Sequence, residues 1–256
     1  MIFTNLIQTN LRTKFFGKEI EYYQRLGSTN EEAWELIENG EATHGMIIIT
    51  DHQFKGKGRR GNSWFMSPSK GLAMSLILLE SLSTEKAGLI TLATGVAMAI
   101  TLKNRGFSPK LKWPNDILLA KKKVGGILCE SKISGQSVKA MVVGIGLNLN
   151  ETKNDFPEDL NESATSLSIE SGHTHQRELV VAIFTTFFEH YWEKLQNSPE
   201  EIISEWTSFC GHMEQNVSFR FKGIQQSGLF RGIDNFGQAR VMIDGNERVF
   251  PSIILD

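Results

Sequence analysis

The chain has 256 residues, 40% of them hydrophobic and 22% charged, with a formal net charge of −2. That length and apolar content support a substantial buried core in one large domain, or a domain with a small appendage, and exclude a disordered or fibrous chain. The near-neutral charge argues against general affinity for nucleic acid or anionic membranes.

Cys129 and Cys210 are the two cysteines. They cannot build a disulfide framework and lack a C-x-x-C spacing, which fits a reducing compartment and no structural zinc site. The opening MIFTNLIQTNLRTKFFGKEI is too polar for a signal peptide, and no apolar run approaches the length of a membrane span. A cytoplasmic protein is expected.

Residues 1–26 read as irregular, with one or two short strands. Ser28-Thr29-Asn30-Glu31 opens a helix, with Ala33, Leu36 and Ile37 at helical spacing, a Ser28/Glu31 capping box and Gly40 as its stop. MIIIT (46–50) and GLAMSLILL (71–79) are buried strands. A long helix begins at Thr84 and ends at Gly106, its small residues suited to close packing on a sheet. Strands follow around 111–113, 117–119, 126–131 and 139–149, and 151–166 is a polar surface loop. Residues 179–195 form an aromatic-rich amphipathic helix, and Ser198-Pro199-Glu200-Glu201 is a capping box that opens another. After Gly211, short strands alternate with Gly, Asp and Asn, the texture of a compact β-barrel. The expected division is 1–211 and 212–256, without internal repeats.

GKGRRG (56–61) satisfies G-x-G-x-x-G. A dinucleotide turn needs a strand before it, a helix after it and an acidic residue downstream. The strand is present and Glu80 is placed acceptably, but Asn62-Ser63-Trp64-Phe65-Met66-Ser67-Pro68 has no helical character. No G-x-x-x-x-G-K-[ST] string occurs. Lys55, Lys57, Arg59 and Arg60 would make a nucleic-acid patch only within a wider basic surface, and the flanking chain is not basic. A plain solvated basic loop is the bland alternative. Against it stands the glycine density, which lets backbone N–H groups converge on a ligand beside cations able to meet phosphate. A phosphate-bearing small molecule is favoured.

KWPND (112–116) follows a strand and presents Asn115 and Asp116 where proline ends the ladder; alone it reads as a turn. KVGGIL (123–128) and GIGLNLN (144–150) put glycines into apolar strands, a sign of close approach to the backbone. The basic run 121–123 is by itself an exposed hairpin tip, and His173 and His175 in a polar loop read as incidental. Cations without an evident nucleophile suit electrostatic stabilisation of an anion.

Ser28-Thr29-Asn30, GKGRRGNSW, KWPND, KVGGIL and GIGLNLN, in that order, resemble the biotin–protein ligases, over nearly the whole chain. The resemblance implies an α/β (α+β) fold: a mixed sheet with helices packed on it, of the class II aminoacyl-tRNA synthetase/biotin synthetase type, plus a C-terminal SH3-like barrel. It implies that biotin and Mg-ATP give biotinyl-5′-AMP and pyrophosphate, and that biotin then passes to a lysine of a biotin carboxyl carrier protein domain. Biotin is expected on Ser28, Thr29, Asn30, Gln53, Lys57, Gly58, Arg59, Lys123 and Gly126. ATP or adenylate is expected on Lys57, Arg59, Trp64, Asn115 and Asn148, with Asn115 and Asn148 reading adenine. The catalytic set is Lys123, Arg59, Lys112 and Asp116; the metal ligands are unknown.

The family's usual loop is G-R-G-R-R-G, so Lys57 keeps the charge but not the bidentate fork. Regulatory members carry an N-terminal helix-turn-helix, whereas 27 residues precede Ser28, so no DNA binding is expected. No membrane partner is expected, and a homodimer is compatible. Lipoate–protein ligases and octanoyl transferases share the fold and are the nearest alternative, but their signature ending in a His-Asp pair is missing. A scaffold or nucleic-acid module using the basic loop and barrel is the non-enzyme alternative.

Overall fold

The β-branched run IIIT lies deep in one sheet, buried on both faces. The protein is described by a computed structural model over residues 1–135, 137–253 and 255. Helix α1 (Thr4–Asn10), strand β1 (Ile20–Tyr23) and helix α2 (Thr29–Asn39) come first, then β2 (Ile47–Thr50), β3 (Leu72–Leu78) and the short β4 (Leu82–Ser83). The long helix α3 (Thr84–Asn104) leads into β5 (Lys110–Lys112), β6 (Asp116–Leu119), β7 (Lys122–Ser134) and β8 (Ser137–Leu147). Helices α4 (Leu167–Ser171), α5 (Arg177–Asn197) and α6 (Pro199–Phe209) precede β9 (Asn216–Phe221), β10 (Ile224–Ile233), β11 (Ala239–Ile243) and β12 (Asn246–Phe250).

The large sheet runs β1-β2-β3-β8-β7-β6-β5, with β4 on β8. Among the described strand pairs only β1–β2 is parallel, so the sheet is mixed. Alternation along β2 divides two cores. Ile47 and Ile49 face the large core of α3 and α5, whereas Ile48, with Ile77 and Val142, faces Ala33 of α2. Each fully buried aliphatic chain contributes about 1.5–3 kcal/mol. The C-terminal strands form a separate antiparallel sheet, β12-β11-β10-β9, filled by Phe219, Phe230, Val241 and Phe250. Its core is continuous with the larger one, and His212 stands between the rings of Trp206 and Phe230.

Several expectations are corrected. Residues 4–10 are helical, and α1 is held by burial of Ile7 against the body rather than by any cap. Ser28 occupies the N-cap of α2, but its side chain accepts no helix N–H; Glu31 turns instead to Lys57. At α6 the Ser198 side chain likewise accepts no backbone N–H, and Glu201 pairs with Lys194. The loop 151–166 contains two 3-10 turns, the first held by a Thr152/Asp155 capping box. Finally, α3 is by length and hydropathy long enough to cross a membrane. Within the fold, 67% of its apolar window is buried, against the sheet, α5 and α6.

Candidate active site

Beyond β1 and β2 the two chains stay paired, and this aligns the start of α2 with Gln53. The N–H of Leu26 donates to the His52 carbonyl (3.1 Å), and Phe54 and Lys55 donate back to Leu26 and Gly27 (3.1 and 2.9 Å). The Gln53 Oε1 then accepts from the Thr29 N–H (2.8 Å) and hydroxyl (3.3 Å). The Ser75 hydroxyl lies 2.7 Å from both Thr29 Oγ1 and Asn30 Oδ1. Asn30 Nδ2 donates to the Glu130 carboxylate (2.8 Å) and the Leu128 carbonyl (3.3 Å). Ser28, Thr29, Asn30 and Gln53 are all buried. Buried polar groups require partners, so this network fixes each amide's orientation.

The strand glycines are explained by what lies on them. A Cβ at Gly144 would overlap Asn30 Oδ1, and one at Gly146 would overlap the Trp64 indole. The close approach expected from GIGLNLN is therefore made by the protein's own side chains.

GKGRRG is a hairpin-like loop, and no helix follows it. Trp64 N–H donates to the Gly56 carbonyl (2.9 Å), Lys57 bridges to Ser63, and Gly58 N–H donates to the Asn62 carbonyl (2.7 Å). A 3-10 turn over Arg59–Gly61 places Arg60 at φ 55°, a left-handed conformation that costs a non-glycine residue about 1–3 kcal/mol. Lys57 Nζ sits 2.6 Å from Glu31, whose hydrogen bond and charge raise the ammonium's pKa. Arg59 donates to Asn115 Oδ1 (3.3 Å) and Ser252 (3.4 Å). Burial, then the neighbouring Arg60 charge, lowers its pKa. A guanidinium remains charged nonetheless.

Lys112 and Asp116 are directly paired across β5 and β6, joined by Trp113-Pro114-Asn115 with a cis Trp113–Pro114 bond. Asp116 lies 2.7 Å from Lys123 Nζ, which stands 5.9 Å from the Trp64 ring. Asn115 Nδ2 donates to the Ile127 carbonyl (2.9 Å), fixing the turn to β7.

One cleft of about 150 Å³ gathers every expected site residue except Asn148. Asn148 is buried behind Lys123, its amide donating to the Thr165 carbonyl (3.0 Å). It holds the segment whose Ser163 carbonyl and Thr165 N–H pair with the backbone of Lys123. Asn148 thus supports the wall beside Lys123 and lies outside the lining of the cleft, where its contact with adenine was expected. Residues missed from sequence include Ser75, Glu130 and Leu255, which reaches the cleft from the C-terminal module. A lone hydroxyl inside LAMSLIL was the available signal for Ser75; nothing in the chain pointed to Leu255.

The cleft concentrates Lys57, Arg59, Lys112 and Lys123, an arrangement that stabilises anionic charge. Among the described residues no three His, Cys, Asp or Glu side chains gather as a metal site, and Asp116 is the carboxylate lining the cleft. The nearby Cys129 thiol is pushed by burial up to about 12, unsuited to nucleophilic attack.

Residues 22–148 match the model of the biotin/lipoate A/B protein ligase family. The chain is 32% identical to a bifunctional ligase/repressor of Bacillus subtilis, over 95% of this chain and 74% of that protein. It is 29% identical to a biotin–[acetyl-CoA-carboxylase] ligase of Paracoccus denitrificans, over 89% of this chain and 96% of the other. Its fold is similar to a biotin protein ligase from Aquifex aeolicus in complex with biotin and ATP, with TM-score 0.79 and 25% identity, covering 93% and 99% of the two chains. The chain belongs to the biotin/lipoate A/B protein ligase family.

Proposed function

We propose that the protein is an ATP-dependent biotin–protein ligase, and the observation that carries this reading is the polar floor of the cleft. Gln53 Oε1 is occupied by Thr29, which leaves Gln53 Nε2 as a donor. Asn30 Nδ2 is occupied by Glu130 and Leu128, which leaves Asn30 Oδ1 as an acceptor. Ser28 adds a hydroxyl bound to no described residue. A ureido ring offers a carbonyl and two N–H groups to such a set. A dithiolane or alkyl chain would bury these groups unpaired, costing about 1–3 kcal/mol each. That weighs against lipoate and octanoate on the same fold.

In the first step a carboxylate oxygen of biotin bonds to the α-phosphorus of ATP. The bond to the bridging oxygen breaks, and pyrophosphate leaves with the electron pair. Lys123, Arg59 and Lys112 balance the charge that develops, while Asp116 holds the Lys123 ammonium. Mg²⁺ would neutralise part of that charge, and Asp116 is the cleft carboxylate that would hold it once Lys123 has turned from Asp116 to the phosphate; magnesium takes few protein ligands when phosphates supply the rest. In the second step the neutral amine of a carrier-protein lysine adds to the acyl carbonyl, AMP departs, and the amine loses a proton to water.

We read loop 56–64 as opening to admit substrates, because the 150 Å³ cleft is smaller than typical ligand pockets of about 300–1,000 Å³. We read 1–211 as the catalytic unit and 212–256 as the appended module, supported by the two separate sheets, and place the protein in the cytoplasm on its two free cysteines. The test is exchange of labelled pyrophosphate into ATP: biotin is expected to drive it, and exchange driven by lipoate or octanoate but not biotin overturns the proposal.

A further inference from the structure

An amide side chain has nearly the same shape in either orientation, so something must decide which end of Asn30 meets the ligand. Ser75 cannot decide, because a hydroxyl donates or accepts as needed. Glu130 can. Its ionised carboxylate only accepts, and it lies 2.8 Å from Asn30 Nδ2, shorter than the 3.3 Å contact from the same nitrogen to the Leu128 carbonyl. Charge-assisted bonds are about twice as strong as neutral ones. Gly144, having no Cβ, leaves room for the opposite end, the carbonyl oxygen. That oxygen has Ser75 as one partner and a second lone pair free.

We propose that Glu130 is a positioning residue that holds the Asn30 amide with its oxygen toward the ligand, so that the head-group pocket demands an N–H donor at that point. This rests on the biotin reading, with a ureido N–H as the group selected. Glu130 does not line the cleft; it acts through Asn30 from β7. A rival account is that its charge merely attracts Lys57, which feels it electrostatically.

The experiment compares wild type, Glu130→Met and Glu130→Gln in pyrophosphate exchange, with biotin and with a biotin analogue methylated at a ureido nitrogen. Glu130→Met removes the charged acceptor and leaves Asn30 Nδ2 only its longer bond to the Leu128 carbonyl. It is expected to raise KM for biotin about tenfold while kcat stays within about twofold, the loss typical of a hydrogen bond to a charged group. The preference for biotin over the methylated analogue should shrink with it. Glu130→Gln keeps a carbonyl acceptor and is expected to retain KM within about threefold. An unchanged KM in Glu130→Met, or an undiminished preference, overturns the proposal. Equal losses in Glu130→Met and Glu130→Gln assign the effect to charge on Lys57 and overturn it too.

A reciprocal exchange guards against misfolding of the methionine variant. Asn30→Asp with Glu130→Gln restores a donor–acceptor pair and leaves an acceptor toward the ligand. It is expected to recover biotin use lost in Asn30→Asp alone, and no recovery counts against the proposal. A wild-type enzyme inactive with biotin would instead defeat the underlying reading.

Discussion

The two ends of the cleft are built on opposite plans. At the α2 end, Thr29, Asn30, Gln53 and Ser75 are buried and bonded to one another, with glycine beneath Asn30. At the other, Lys57 and Lys123 are half-exposed, their ammonium groups paired with Glu31 and Asp116. The first end is rigid before any ligand arrives, which suits selection, since a wrong head group leaves fixed dipoles unpaired. The second end stores charge in exposed pairs worth about 0–1 kcal/mol, cheap to break when phosphate appears. Selection and charge stabilisation therefore fall to different elements of one site.

The contrast is broken hardest at the charged end. Lys123→Ala should lower the adenylation rate about 100-fold, on the order of 3 kcal/mol, as for loss of one transition-state donor. Single-turnover exchange measures it; a folded variant with unchanged kinetics would show that the charge at this end is dispensable. At the rigid end, Gly144→Ala pushes a Cβ into Asn30. Misplacement of this kind costs up to about 100-fold, here mostly in KM for biotin and not in KM for ATP. Equal changes in both constants would deny that the two ends act separately.

Much of this contrast was visible in the sequence, but unevenly. Cations and glycines announce themselves, so GKGRRG, KWPND and KVGGIL located the charged end. The rigid end was legible only as Ser28-Thr29-Asn30. Its completion by Ser75, Glu130 and Gly144 depends on strand order β3-β8-β7, which local pattern does not reveal. Capping boxes were read where the spacing allowed them, yet Glu31 and Glu201 found lysines instead. The adenine role of Asn148 rests on the resemblance alone, because an amide after a glycine strand reads the same whether it faces ligand or backbone. Helix α1 escaped because it has no cap and draws its stability from tertiary burial.

A smaller effect concerns the segment behind Lys123. Glu151 is fully buried beside Gly71, neither carboxylate oxygen has a hydrogen-bond partner among the described residues, and burial raises its pKa to about 7. The unfolded chain releases this proton near the ordinary value of 4.5 and the folded chain only near 7. Its contribution is therefore fully present below 4.5 and is lost as pH rises through 7. Glu151→Gln, which never ionises, should gain stability over wild type across that window, reaching at most about 3 kcal/mol above it. Urea melts at pH 5 and pH 8 decide; a stability difference that does not change with pH would mean Glu151 is already ionised at pH 5.

The most direct test of the account is competitive ligation. The protein is incubated with ATP, magnesium, a purified biotin carboxyl carrier domain and equal biotin, lipoate and octanoate, and the intact mass of the carrier is read. A single biotin amide on the carrier lysine is expected; a lipoyl or octanoyl adduct in its place would show that the cleft does not select the ureido head group.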